Sequence, residues 1–145
     1  MSNNVFVLDT ERTVTYTDKI KPKLIPPNSI SVSCIGTIGV IGMATELSIT
    51  NQQINTLIPH KNQNYYLYNL LIANIDKIKA NATGSATPNI SKESFLKIEV
   101  DICSEQMILR FNEEVTPLYE AIKTLQIENR RINELKRLYL RKFFG

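Results

Sequence analysis

The chain has very few histidines and cysteines, the residues that hold zinc most often. It contains one histidine, His60, and two cysteines, Cys34 and Cys103, far apart and with no CxxC spacing. A zinc site needs several such ligands at short intervals, so no metal and no cofactor is expected. Both cysteines lie among apolar neighbours and read as buried, reduced thiols. Long hydrophobic runs are also missing, since polar residues interrupt every apolar segment well short of the ~18 residues a membrane span requires. The first residues, Met1-Ser-Asn-Asn, carry no basic stretch leading into an apolar run, so no signal peptide is expected either. A cytoplasmic protein with no membrane partner is the resulting expectation. There is no GxxxxGK[ST] phosphate loop, no HExxH, no Asn-Pro-Pro-aromatic run and no acidic cluster of the metal-nuclease kind. Gly36, Gly39 and Gly42 recur at threes, but without the strand-then-helix setting of a dinucleotide fold. The reading is of a chain that is not an enzyme.

What is present suits one modest domain plus an extended element. Hydrophobic residues make up 43% and charged residues 21% of the 145, ordinary values for a folded soluble protein and against disorder. The formal net charge of +3 is too small to identify a nucleic-acid partner by itself. Within residues 30–34, Ile30, Val32 and Cys34 alternate with serines, the pattern of a half-buried strand. The turn Pro26-Pro27-Asn28 precedes it. The glycines of residues 35–42 predict a tight strand-turn-strand crossing. Residues 49–58 read as another strand, stopped by Pro59.

From about 64 to 79 the period becomes helical, with Leu67, Leu71, Asn74 and Ile78 in one row. The polar stretch 80–89 is a loop by composition, and Ser91 is placed to cap a short helix. Alternation at Ile98, Val100 and Ile102 predicts a last strand. The reading is a small α+β domain over residues 1–103, followed by a long coiled-coil helix over 104–145. In that helix Leu118, Leu125, Ile132 and Tyr139 recur every seven residues, with Ile122, Asn129 and Lys136 as the companion row. Together they form a coiled-coil seam, and Asn129 would set its register. Pro117 predicts a kink, or a break between a docked first part and a projecting second part. Residues 105–120 carry a net charge of −3 and residues 130–142 a net of +5. An antiparallel pair of helices sets these halves against each other, whereas a parallel pair sets like beside like; a homodimer of antiparallel sense is therefore expected.

Five segments, in order, resemble one family. They are residues 25–39 (IPPNSISVSCIGTIG), 50–55 (TNQQIN), 65–71 (YYLYNLL), 84–91 (GSATPNIS), and the run from Ser104-Glu105-Gln106 through the long helix to Phe143-Phe144. Together they are similar to the specificity subunit of type I restriction–modification systems. The resemblance implies a non-catalytic subunit in which target-recognition domains each bind half of a bipartite DNA sequence while helices set their separation. It also implies docking of methyltransferase and restriction subunits. One recognition domain and one helix are covered, so a half-subunit or fragment is implied, with residues 1–103 as a partial recognition domain and 104–145 as the spacer and dimerisation region.

Candidate DNA contacts are Lys77, Lys79, Asn81, Thr83, Ser85 and Thr87 around Gly84, with Lys19, Lys21 and Lys23 as a second basic cluster. Cations and hydroxyls suit phosphate oxygens, and loop side chains suit base edges. The run Asn51-Gln52-Gln53 has the carboxamides to meet adenine edges, although hydrogen bonds to nearby backbone are the commoner use of such groups. Two other readings compete: a coiled-coil interaction protein that does not touch DNA, and a remnant specificity subunit without function. An unrecognised enzyme working near Gly84 finds no base or metal cluster to support it.

Overall fold

The computed structural model describes residues 4–10, 13–15, 17–84 and 87–145. Ser85, one of the expected DNA contacts, lies outside them. Four short strands, β1 (Phe6–Val7), β2 (Ile30–Ser33), β3 (Ile41–Ala44) and β4 (Ile54–Leu57), form one sheet in the order β1-β3-β2-β4. β1 runs parallel to β3, while β2 is antiparallel to both β3 and β4. Helices α1 (Asn64–Ala73), α2 (Ile75–Ala80), α3 (Lys92–Leu96) and α4 (Glu105–Phe144) complete the chain. This is an α+β fold with a 40-residue final helix, about 60 Å long at 1.5 Å per residue. No helix of the described residues is long and apolar enough to cross a membrane.

The alternation of β2 sets the core. Ile30, Val32 and Cys34 point to one side and are almost wholly buried with Met43, Tyr65, Ile78 and Phe95. The serine face departs from the expected half-buried strand, since Ser29 and Ser31 are buried as well. Ser31 sits on the middle strand and lines the cleft between the sheet and the distal part of α4, so this face is covered as well. Burial is tolerable at Ser29 because its hydroxyl donates to Pro26 O at 2.6 Å, so the group keeps a partner. Ahead of it, Asn28 takes φ +68, a left-handed conformation that Asn accepts more readily than most residues.

Several expected elements change length. The strand over 49–58 shrinks to β4, because Asn51 Oδ1 accepts from Gln53 N at 3.0 Å and bends the chain into an Asx turn first. The helix over 64–79 divides at Asn74, whose carboxamide donates to Leu70 O at 2.8 Å. That side chain competes with the backbone for the same carbonyl. Ser91 caps α3 as expected, accepting from Ser94 N at 3.0 Å.

The strand expected at Ile98, Val100 and Ile102 does not form. The alternation holds only in part: Ile98 packs against the core and Glu99 and Asp101 face solvent, but Ile102 is 67% exposed. Among the described residues no strand edge meets it, and without a ladder its backbone has no sheet to join. Cys103, expected to be buried, is exposed at the end of this segment. β1, unforeseen in the sequence, joins the sheet through two residues only.

The helix α4 begins at Ser104, whose hydroxyl accepts from Met107 N, with Glu105 in the first turn and Arg141 and Lys142 in the last. It continues unbroken through Pro117, so the expected break is absent. Proline removes the hydrogen bond to Glu113 O, but packing on both sides of that point holds the helix: Val115, Tyr119 and Ile122 all lie against the core.

Candidate nucleic-acid interface

One end of the sheet gathers three segments that are distant in sequence. Leaving β2, the chain bonds to the loop before α3: Gly36 N donates to Pro88 O at 3.0 Å and Ile90 N to Cys34 O at 2.9 Å. Thr83 and Asn89 exchange backbone hydrogen bonds, each at 2.9 Å. Thr83 and Asn89 are thus held together as a small ladder. Gly84 itself has φ +94, a conformation that favours glycine.

On the other side stands α2. A β-carbon at Gly39 would come within 2.6 Å of Ile75 Cδ1 and 3.3 Å of Lys79 Cε. Glycine there lets the turn after β2 sit directly on the helix, which brings Lys79 alongside that turn.

The expected DNA contacts therefore separate into different situations. Lys79 is exposed, and its ammonium makes no ion pair or hydrogen bond among the described residues. Lys77 turns toward Glu99 O, 3.5 Å away. Asn81 donates to Lys77 O at 2.9 Å and closes the last turn of α2. The Thr83 hydroxyl donates to Asn89 O at 3.3 Å, whereas Thr87 is exposed.

Lys19, Lys21 and Lys23 are exposed too, but they lie toward the opposite end of the sheet. They lead into Ile25, which bridges Ser48 beyond the end of β3. The length of β2, roughly 13 Å at ~3.3 Å per residue, separates the two basic clusters. Of the amide run, Asn51 serves its own turn, while the side chains of Gln52 and Gln53 are exposed and unpartnered among the described residues.

The long helix is fixed to this unit by polar as well as aromatic contacts. Asn112, only 3% exposed, accepts from Tyr66 N at 2.9 Å and donates to Asn64 Oδ1 at 3.3 Å. Tyr119 accepts from Asn69 at 2.7 Å and meets the rings of Phe6 and Tyr68 edge-on. Tyr65 donates to Glu120 at 3.0 Å, and its hydroxyl pKa is pushed up to about 12 by burial and by that carboxylate. Further along, Phe6 N donates to Gln126 Oε1 at 3.2 Å and Arg130 donates to Leu8 O at 2.9 Å. The sequence reading did not single out Asn112, Tyr119, Gln126 or Arg130. Its one signal was the aromatic-rich Tyr65-Tyr66-Leu67-Tyr68.

The seam residues divide as well. Ile122 packs against the unit's own core, whereas Leu118, Leu125, Ile132 and Tyr139 are each more than half exposed. Lys136 is exposed. Asn129 opens onto a cleft between the distal helix and the sheet, whose walls include Ser31, Asn51, Gln53 and Arg137.

The sequence matches the family model described as "Type I restriction modification DNA specificity domain" over residues 2–137. It is 34% identical over 146 aligned positions to a protein named the type I restriction enzyme HindI specificity subunit of Haemophilus influenzae. The alignment takes in 97% of this chain and 32% of that relative, so the chain spans about a third of its length. Among solved structures, the fold is similar to the S subunit of a type I restriction-modification system from M. genitalium. The TM-score is 0.62 at 21% identity, over 85% of this chain and 34% of that one.

Proposed function

The chain belongs to the type I restriction modification DNA specificity domain family, and from that premise we propose that it is the DNA-reading specificity subunit, or half-subunit, of a type I restriction–modification system. It binds one half of a bipartite duplex target and performs no catalysis itself. Residues 1–103 act as a partial recognition domain and 104–145 as the spacer. The observation that supports this reading is the Lys79 ammonium, unpaired among the described residues, near Thr87 and the Thr83–Asn89 ladder. A free cation next to hydroxyls on a fixed backbone suits phosphate and groove contacts. Lys77 and Asn81 belong to the same proposed face, with Lys19, Lys21 and Lys23 as a second contact farther along the duplex.

Salt titration of duplex binding tests this. Each phosphate neutralised contributes about −0.9 to the slope of log affinity against log salt. The expected result is duplex binding at low salt that weakens steeply as salt rises. No binding at low salt, or binding indifferent to salt, contradicts the proposal.

The helix is assigned two further roles. It supports docking of methyltransferase and restriction subunits, and it pairs with the α4 of a second copy in antiparallel sense. The exposed stripe of Leu118, Leu125, Ile132 and Tyr139 and the opposite charges of the two helix halves support the pairing. The same stripe favours the alternative of a coiled-coil interaction protein that never meets DNA. Helix pairing without any duplex binding would select that alternative.

A further inference from the structure

The turn that follows β2 carries donors with no partners. In it Gly36 N donates to Pro88 O, Gly39 N to Ser33 O at 2.9 Å, and Val40 N to Ser33 Oγ at 2.9 Å. The Ser33 hydroxyl in turn donates to Thr37 O. Between these anchors the backbone amides of Thr37 and Ile38 make no hydrogen bond among the described residues, and the Thr37 hydroxyl makes none either. Thr37 is exposed, and Gly36 and Gly39 both have positive φ, +72 and +82. Consecutive amides beside left-handed residues in a tight turn form a concave, electropositive feature that suits an anion. Lys79 lies against the same turn by way of Gly39 and takes part in no ion pair among the described residues.

We propose that residues 36–39 and Lys79 together form a phosphate-binding site, which holds one backbone phosphate of duplex DNA regardless of base sequence. The inference rests on the DNA-reading proposal and adds an anchor that the sequence reading did not assign. Its donors are two main-chain amides, one hydroxyl and one ammonium. None of them distinguishes one base from another, so the site would fix the register of the duplex rather than read it. The turn is held at both ends before any ligand arrives, so little ordering cost is incurred on binding.

The test compares the full chain with Lys79→Ala, Thr37→Glu and Lys21→Ala in duplex titrations across salt. Amide resonances of Thr37 and Ile38 are followed with duplex DNA and, separately, with inorganic phosphate. The expected result is that Lys79→Ala makes the salt slope shallower by about 0.9, the share of one phosphate, equally for unrelated duplexes. Thr37→Glu weakens binding, and both amides shift with duplex. If both variants keep full affinity and slope while Lys21→Ala loses them, the anchor lies at the other end of the sheet and the inference is overturned, with DNA reading intact. Amides that shift with inorganic phosphate but not with duplex also overturn it. Absence of duplex binding by the unaltered chain defeats the DNA-reading proposal itself.

Discussion

The rings of Tyr65 and Tyr119 stack face to face, their centroids 4.3 Å apart and their planes 13° from parallel. One ring belongs to α1 and the other to α4, so the pair joins the sheet-bearing unit to the long helix. Removing Tyr119 also removes the hydrogen bond from Asn69 and two edge-on ring contacts. Tyr119→Ala should therefore destabilise the chain by about 3 kcal/mol, combining lost ring burial with lost pairing. Urea unfolding measures it, and a change under about 1 kcal/mol would mean the stack contributes little.

Tyr65 makes the same joint sensitive to alkali. Its folded pKa is raised to about 12 from an ordinary 10 by burial and the Glu120 carboxylate. The unfolded chain therefore loses this proton at lower pH than the folded one. Its contribution is complete below pH 10, declines as pH rises from 10 toward 12, and is absent above. Burial raises the Tyr68 pKa in the same direction. Stability followed against pH should fall in that window, with a smaller fall in Tyr65→Phe. An equal fall in the variant would remove Tyr65 from the account.

Asn112 is a buried polar residue of α4, and its two bonds satisfy Tyr66 N and Asn64. Asn112→Ala leaves that amide without its acceptor, at a cost of about 1–3 kcal/mol. Chemical denaturation supplies the value. A variant as stable as the parent would show that water replaces the carboxamide without loss.

Much of the α+β arrangement was legible because it rests on periodicity. The alternation at Ile30, Val32 and Cys34 and the helical row through Leu67 and Leu71 both report burial, which dominates those segments. What was not legible depended on neighbours. The alternation at 98–102 looks like a strand, yet a strand exists only where another edge accepts its hydrogen bonds. β1 gave no signal because two residues carry no period and its partner β3 lies more than thirty residues away. Asn74 divides a helix and Asn51 shortens a strand through local side-chain bonds that leave the hydrophobic pattern unchanged. At the candidate interface, composition brought out Lys79 and the Gly84 loop. The free amides of Thr37 and Ile38 are main-chain groups, and no residue type announces them.

The two thiols should behave differently. Cys34 is 2% exposed, and burial pushes its pKa up despite the hydrogen bond that Asn55 donates to its sulfur at 3.1 Å; burial therefore suppresses both access and the reactive thiolate. Cys103 is exposed. A thiol reagent added to the native chain should label one cysteine quickly and the second only on unfolding, with Cys103→Ser abolishing the fast phase. Two fast thiols would contradict the burial of β2.

For the proposed helix pair, an antiparallel register that matches Leu118 with Tyr139 matches Leu125 with Ile132 as well. Labels at Arg110 and Arg141, both exposed, report the direction. Opposite copies should bring 110 within about 10 Å of 141 along the axis, and hold the two 110 positions roughly 55 Å apart. Close 110–110 pairs, or a monomer at tens of micromolar, would exclude the antiparallel arrangement.

The central claim is that this chain reads DNA as half of a two-part target, and selection from a random duplex library tests it most directly. Repeated capture on the chain should enrich one short sequence, present twice in inverted orientation at a fixed separation, as a C2 pair of readers requires. A pool that remains random after repeated capture would contradict the account.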